Sequence, residues 1–170
     1  TIQEVVTKVS PNISLIPGGS GLVELSRINS FERRALLDAV GELDYEYDYL
    51  LIDTAPGITD NVLYLNSAAQ KAAVVITPDP SSLADSYALI KVLSQEYKEN
   101  HFSIVCNMVR DEAEGLVLFN KFSEVVNRFL SIGLDYWGAL ALDPLVRRSC
   151  QNQRLILKHE PQSESAHQLL

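Results

Sequence analysis

The chain has 170 residues, about one domain's length, and 46% of them are apolar while 21% are charged. This is an ordinary globular composition and it argues against a disordered chain. No run of about 18 apolar residues occurs, so the sequence predicts no membrane-spanning segment. Fourteen basic and 22 acidic residues leave a formal net charge of −8, which disfavours direct binding to a nucleic-acid backbone.

Cysteine and histidine usage narrows the class of protein further. Two cysteines, Cys106 and Cys150, are too few for a disulfide scaffold, and the first residues have no apolar signal core. The cysteines and the three histidines lack the spacing of a zinc site. These features predict a reducing, cytoplasmic setting and oxygen ligands for any metal.

Short apolar segments alternate with helical patterns along the chain. The first half predicts, in order, a strand at 13–16, a PGGSG turn, a helix capped by Ser30, an acidic loop at 44–48, a strand at 49–52 and a helix from Thr59 or Asp60 towards Ala69. The second half predicts a strand at 72–77, a helix from Ser81 or Ser82 to Lys98, a strand at 102–106, a helix at 112–130, a strand at 134–142, a short helix opened by Asp143-Pro144 and a last helix from Pro161.

This alternation predicts an α/β fold with a mostly parallel sheet flanked by helices, in one domain over residues 1–170. Strand segments such as 72–77 lack polar alternation, which predicts that both faces of the sheet are covered. Apolar spacing predicts a buried face for the first long helix, carried by Phe31, Leu36, Leu37, Val40 and Leu43. Trp137 and Cys106 are expected in the core, where Cys106 acts as a small hydrophobic residue.

In parallel sheets, ligands bind beyond the carboxyl ends of the strands. Asp53-Thr54-Ala55-Pro56-Gly57 follows the strand at 49–52, and a carboxylate there is costly unless a Mg²⁺ ion or another group solvates it. Gly57 allows its backbone N–H to approach a phosphate closely. The alternative is that Asp53 caps a turn made by Pro56-Gly57, and the residues alone favour neither.

Two later strand ends offer groups that suit a purine base. Asn107 carries an amide donor and acceptor that fit the edge of a base, although a lone asparagine more often satisfies neighbouring backbone groups. Backbone groups at Asp143-Pro144 are able to line a base pocket, and the structural alternative there is plain helix initiation. Between them, Pro78 to Ser82 predicts a stiff loop whose serines cap the next helix.

A phosphate-binding P-loop is not evident. The segment at 17–21 is rich in glycine, but Leu22 stands where a P-loop has its lysine. None of the six lysines is preceded by glycine, so the chain carries no Walker A motif.

The stretch YDYLLIDTAPGITDNVLYLNSAAQKAAVVITPDPSSLADSYALIKVLS resembles the MinD/ParA group of deviant-Walker P-loop ATPases, within the SIMIBI class. More narrowly, it is similar to the flagellar number and placement regulators of the FlhG/FleN type. IVCNMVRDEAEG, LDYWGALALDPLVRRSCQNQR and SLIPGGSGLVELSRI fit the same branch, so the resemblance covers nearly the whole chain. It implies a MinD-like fold that lacks the N-terminal P-loop portion. The chain then corresponds to the Walker B-to-C-terminal portion of a MinD-like ATPase domain.

The resemblance also implies roles for particular residues. Asp53, with Thr54 beside it, matches the Walker B position that organises Mg²⁺, through water in this interpretation. Gly57 matches the switch glycine that senses the γ-phosphate, and Asn107 matches the base-recognition asparagine. Asp143 and Pro144 match the segment beside the adenine. No catalytic residue is assigned within this chain.

At the level of the whole protein, the resemblance implies an ATP-dependent switch in flagellar biosynthesis. Family members form Mg-ATP-bound, membrane-associated homodimers and return to cytoplasmic monomers after hydrolysis. Their partners include the flagellar GTPase FlhF, FleQ-type activators and C-ring proteins. The membrane contact is made by a C-terminal amphipathic helix that this sequence does not show.

Since the two Walker A lysines and the acidic switch segment are absent, these 170 residues are expected neither to bind Mg-ATP nor to hydrolyse ATP alone. The missing P-loop strand would leave the strand at 49–52 with an unpaired apolar edge, which predicts rearranged strand order or a covering dimer. A catalytically inert interaction module is the main alternative. A ParA-type partitioning protein is a weaker one, since the charge of −8 disfavours DNA binding.

Overall fold

The computed structural model describes residues 2–18, 29–43 and 47–169. The chain divides into two units, residues 1–55 with 59–65, and residues 56–58 with 66–170. The predicted turn beyond Gly18 and most of the acidic loop at 44–48 lie outside the described residues. The assignment of residues 1–170 to one domain stays a prediction.

The first unit opens with a short helix and a hairpin. Helix α1 spans Ile2–Val5, and strands β1 (Thr7–Ser10) and β2 (Ile13–Leu15) pair in antiparallel fashion. The strand predicted at 13–16 is therefore confirmed, whereas its antiparallel partner was not predicted. Only two residues separate the strands, a spacing that permits a hairpin and no parallel crossover.

Helix α2 spans Ser30–Gly41, and its N-cap residue is Asn29. The Asn29 side chain accepts hydrogen bonds from the backbone N–H groups of Phe31 and Glu32 at 2.9 and 3.0 Å, and the Glu32 carboxylate accepts from the Asn29 N–H at 2.7 Å. This is a reciprocal capping box, so the predicted Ser30 cap is wrong by one residue. The predicted apolar face is also wrong, because α2 has no buried residue and Phe31 is 80% exposed.

The strand predicted at 49–52 does not form. Residues 49–55 have no regular secondary structure, and Leu51 is 92% exposed. A strand is stable only when a neighbour satisfies its backbone groups, and none of the described residues pairs with this segment. Helix α3 (Asp60–Ala68) follows as predicted, its first turn closed by a hydrogen bond from the Leu63 N–H to the Thr59 carbonyl.

One side chain ties α2 to the start of α3. The Arg33 guanidinium donates to Asn61 Oδ1 at 3.2 Å and lies 3.7 Å from the Asp60 carboxylate. It also covers the Tyr64 ring, 5.6 Å from its centroid. The first unit is thus joined by polar and cation–π contacts around one partly buried arginine.

The second unit is a βαβαβ arrangement followed by three helices. Its elements are β3 (Ala73–Ile76), α4 (Pro80–Tyr97), β4 (His101–Val109), α5 (Glu112–Phe129), β5 (Gly133–Ala141), α6 (Pro144–Gln151), α7 (Ile156–His159) and α8 (Glu164–Gln168). The strands lie in the order β3-β4-β5 and all are parallel. The predicted α/β class with a parallel sheet flanked by helices is confirmed, with element bounds shifted by a few residues.

The core of this unit forms around the central strand β4. Phe102, Ile104 and Cys106 alternate along it and have no exposed surface, so Cys106 is buried as predicted. Helix α5 supplies buried residues at helical spacing, namely Gly115, Leu118, Phe122 and Val126. Because β4 is the central strand and Phe102, Ile104 and Cys106 are fully buried, it contributes much of the core of the sheet.

Part of the opposite face is open to solvent. On β3, Val74 and Ile76 are buried, whereas Val75 is 54% exposed, so the predicted covering of both faces is wrong there. Trp137, predicted to lie in the core, is 52% exposed and has Lys71 Nζ 5.7 Å from its ring centroid. Alternate strand residues point to opposite faces, and packing reaches only one face of β3.

Each helix that follows a strand of this sheet is capped by an aspartate. Asp79 accepts from the Ser81 N–H at 2.8 Å, Asp111 from the Glu114 N–H at 2.8 Å, and Asp143 from the Leu145 N–H at 2.8 Å. The prediction that Ser81 or Ser82 caps α4 is corrected, because the serine hydroxyl donates to Asp79 instead. Within the described ranges, no helix is both long and apolar enough to cross a membrane.

Gly115 provides a test of the contact between α5 and β5. A Cβ at this position would lie 2.5 Å from the Ala139 Cβ and 2.8 Å from the Tyr136 hydroxyl oxygen. Gly115→Ala is expected to lower the free energy of unfolding by about 1–3 kcal/mol through overpacking. Urea unfolding measures this change. Gly41→Ala is the control, since an added Cβ there meets no atom within 4 Å, and an equal loss in both variants would contradict the contact.

The two cysteines are expected to differ in reactivity. Cys106 is buried, and desolvation together with the nearby Glu112 charge raises its pKa to about 11, whereas Cys150 is exposed. Because the thiolate is the nucleophile, iodoacetamide at neutral pH should label Cys150 and leave Cys106 unmodified. Peptide mass spectrometry measures the labelling, and unfolded protein should be labelled at both sites. Rapid labelling of Cys106 in folded protein would contradict the packing around β4.

Candidate functional site

The carboxyl ends of β4 and β5 bring three predicted site residues to one edge. In the parallel register Asn107 lies opposite Leu140, and Val109 lies opposite Ala141. The Leu142 N–H then donates to the Val109 carbonyl at 2.7 Å, which holds the two strand ends together. Asn107 and the Asp143-Pro144 turn therefore belong to the same edge, which we call the carboxyl edge.

Asn107 itself is half-buried. It is the third residue from the end of β4, so it lies within the strand rather than after it. Its amide oxygen accepts a hydrogen bond from the Met108 N–H at 2.9 Å. The oxygen thus follows the structural alternative considered above, in which Asn107 serves the neighbouring backbone. The amide nitrogen makes no hydrogen bond to any other described residue, so its donors remain available to a ligand.

Met108 is a site feature that the sequence did not reveal. Its φ of 58° lies in the left-handed region, which is uncommon for a residue with a side chain. The strand register shifts between Asn107 and Val109, so Met108 is the extra residue of a β-bulge. Bulges redirect neighbouring side chains, and Asn107 is the residue next to this one. A glycine at position 108 would have indicated a left-handed backbone conformation in the sequence, whereas a methionine gives no such indication.

Asp143 and Pro144 open α6 as the sequence predicted. The half-buried Asp143 carboxylate caps the Leu145 N–H, and Pro144 occupies the first helical position. Because the carboxylate is engaged, contact with a base would fall to backbone groups of this turn. Gln168 on α8 fixes the strand just before it, since its side-chain oxygen accepts from the Ala141 N–H at 2.7 Å.

Gly57 has a conformational reason to be glycine. Its φ of 99° is strained for residues with a Cβ, and nothing lies within 4 Å of the place where a Cβ would stand. The position is therefore constrained by its backbone rather than by close packing. A role for its N–H in phosphate contact stays a prediction.

Asp53 and Thr54 belong to the first unit. Asp53 is exposed and forms no hydrogen bond or ion pair with the described residues, while Thr54 is half-buried. Among those residues, Asp53 joins no group of three potential metal-ligating side chains. Magnesium in nucleotide sites commonly uses one or two carboxylates together with substrate phosphates, so a single free carboxylate fits that mode.

A polar contact between β5 and α5 lies close to the carboxyl edge. The Tyr136 hydroxyl donates to Glu112 Oε1 at 2.8 Å and so connects β5 to the first turn of α5. Desolvation, followed by this carboxylate, raises the pKa of Tyr136 well above its ordinary value. The phenol therefore stays protonated and keeps donating. At the neighbouring helix start, hydrogen bonds from Ser81 lower the pKa of Asp79, which keeps that cap ionised.

Comparisons with known proteins identify the family to which this sequence belongs. The ParA profile, described as a NUBPL iron-transfer P-loop NTPase, matches residues 31–170. The chain is 31% identical over 165 residues to the antiactivator FleN of Pseudomonas aeruginosa, covering 97% of this chain and 59% of that protein. It is 32% identical over 162 residues to the flagellum site-determining protein YlxH of Helicobacter pylori, covering 94% and 54%.

The chain belongs to the ParA family of P-loop NTPases. A further relative is the septum site-determining protein MinD of Bacillus subtilis, 38% identical over 72 residues, or 42% of this chain and 27% of that protein. The resemblance to MinD/ParA ATPases and to their flagellar branch is thus confirmed. The ParA family is one of nucleotide-binding NTPases whose members typically dimerise. This chain spans somewhat more than half the length of the two flagellar relatives.

The bulge at Met108 is testable by substitution. Met108→Gly removes a side chain that is 55% exposed and relieves a left-handed φ, so stability should stay unchanged or rise by up to about 1 kcal/mol. Val75→Gly is the matched control, because this exposed strand residue has no positive φ and glycine should cost roughly 0.5–1 kcal/mol. Thermal unfolding compares the two variants. A loss in Met108→Gly as large as in Val75→Gly would contradict the strained bulge.

Proposed function

We propose that this chain is part of a MinD-like ATPase switch that regulates flagellar number or placement. The support from sequence is the similarity to an antiactivator and to a flagellum site-determining protein over more than nine-tenths of the chain. One observation on the structure carries the nucleotide assignment. The Asn107 amide and the Asp143-Pro144 turn lie on the ends of two adjacent parallel strands, joined by the hydrogen bond from Leu142 to Val109.

Each site residue has a distinct part in this proposal. The free Asn107 amide donors bind an acceptor on the base edge, and backbone groups at Asp143-Pro144 lie beside the base. Asp53, with Thr54, orients the water shell of Mg²⁺, and the Gly57 N–H contacts the terminal phosphate. Mg-ATP supplies a ligand that differs in charge before and after hydrolysis. The chain's residues bind and position it, and no residue of this chain is assigned a catalytic step.

A switch requires the nucleotide to favour one of two states. In the proposed cycle, Mg-ATP stabilises a homodimer that exposes partner and membrane-binding surfaces, and the cytoplasmic monomer returns after hydrolysis. FlhF, FleQ-type activators and C-ring proteins are the proposed partners. A C-terminal amphipathic helix of the intact protein provides the proposed contact with the membrane surface.

The inert interaction module remains the second candidate because no lysine follows a glycine anywhere in these 170 residues. The flagellar relatives favour the switch over this module. A partitioning role is the weakest candidate, since binding to the DNA backbone is opposed by a net charge of −8. Membership of the ParA family does not alter that electrostatic argument.

Calorimetry with Mg-ATP separates the first two candidates. We expect no heat from this chain alone and micromolar binding once the residues encoded before Thr1 are added. In the extended protein, light scattering should show dimers with Mg-ATP and monomers with Mg-ADP. An extended protein that binds no ATP would favour the inert module.

Substitutions assign the residues in that extended protein. Asn107→Ala should weaken ATP binding about tenfold, the effect of one lost hydrogen bond to a buried ligand. Asp53→Asn should remove the dependence of binding on Mg²⁺ and leave base recognition intact. Asn127→Ala and Asp48→Asn are the matched controls, since both positions are exposed. Equal effects in a variant and its control would contradict the assignment.

A further inference from the structure

A small polar cavity lies along one face of α6, from Leu145 in its first turn to the residues that follow its end. Its volume is about 100 Å³. The polar residues that line it are Arg148, Ser149, Asn152, Arg154, His159 and Glu160. Two guanidinium groups and an imidazole thus converge on one cavity in a chain whose acidic residues outnumber its basic residues by 22 to 14.

The turn after α6 brings Arg154 to the cavity that Arg148 also lines. The Gln153 N–H donates to the Cys150 carbonyl at 3.0 Å and the Arg154 N–H donates to the Ser149 carbonyl at 2.9 Å. Gln153 has a φ of 52°, so these bonds form a Schellman motif with glutamine at the position that usually holds glycine. The left-handed residue reverses the chain and returns Arg154 to the cavity that Arg148 lines.

Helix α7 contributes the imidazole that lines the cavity. Its first residue, Ile156, is buried and anchors the helix. His159 lies in its last turn, and the Glu160 N–H donates to the Ile156 carbonyl at 2.8 Å. The cavity is therefore walled by a capped turn and an anchored helix rather than by free loop ends.

The charges facing the cavity are not balanced. Within the described part of the chain, neither the Arg148 nor the Arg154 guanidinium has an ion pair or a side-chain hydrogen bond. Glu160 is the one carboxylate that lines the cavity, and it lies beyond ion-pair distance of both arginines. An anion that contacts both guanidinium groups offsets their like charge.

We propose that this cavity binds a phosphate-type oxyanion. A guanidinium presents a planar fork of donors that matches phosphate oxygens, and the Asn152 amide and Ser149 hydroxyl offer further donors. The volume of about 100 Å³ leaves room for a small ligand only. That suits one phosphate group, whereas ligand pockets for larger molecules span roughly 300–1,000 Å³.

Titration of the full chain with inorganic phosphate tests the proposal. Amide chemical shifts of residues 148–160 should saturate in the millimolar range or below. Arg148→Gln and Arg154→Gln should each weaken phosphate binding by at least about tenfold, the effect of a lost charge-assisted hydrogen-bond pair. Arg148→Lys should recover only part of the affinity, because lysine keeps the charge and loses the fork.

Arg147→Gln is the matched control, since Arg147 lies on the same helix and is exposed like Arg148 and Arg154 but does not line the cavity. It should bind phosphate like the unaltered chain. Circular dichroism confirms that each variant is folded. The proposal is overturned if phosphate causes no saturable shift, or if Arg147→Gln loses as much affinity as Arg154→Gln.

The free ion and a lipid headgroup are two sources of phosphate for the cavity, and a second arm of the experiment separates them. Vesicles of phosphatidylcholine with phosphatidic acid are compared with phosphatidylcholine alone in a sedimentation assay. Sedimentation that requires both arginines and is competed by phosphate identifies the lipid as a source. Phosphate binding without sedimentation identifies the free ion, and either result supports the cavity.

Discussion

The structure depends on the burial of β4 between two parallel neighbours. Phe102, Ile104 and Cys106 have no exposed surface, so β4 cannot shift by one residue without moving them to the opposite face. Fixed register on both sides determines where each chain segment leaves the sheet. The position of Asn107 beside the Asp143 turn is therefore a consequence of apolar packing several residues away. Helices α4 and α5 make the crossovers that parallel pairing requires.

Local chemistry explains which parts of this fold could be predicted from the sequence. The segments at 72–77, 102–106 and 134–142 became strands because apolar runs of that length pack well in a parallel sheet. Asp143-Pro144 opened a helix because an aspartate cap and a proline at the first helical position act within one turn. The capping box at Asn29 and Glu32 was equally local, and its residue spacing could have identified the cap.

Predictions that depended on distant partners were less accurate. Tyr49 to Ile52 has strand-like residues, yet a strand also needs a hydrogen-bonded neighbour, which the sequence of the segment does not contain. Trp137 and Phe31 are apolar but exposed, because burial depends on which face the packing reaches. The family motif indicated Asn107, whereas the left-handed conformation of Met108 beside it could be seen only from the backbone dihedral angle.

The three aspartate caps have an electrostatic consequence for how a nucleotide can approach. Asp79, Asp111 and Asp143 follow the ends of β3, β4 and β5, so their carboxylates occupy the amide donors at three successive helix starts. Helix starts of this kind are where many folds hold polyphosphates. Here the same positions carry carboxylates, which disfavour a negatively charged group at these three helix starts.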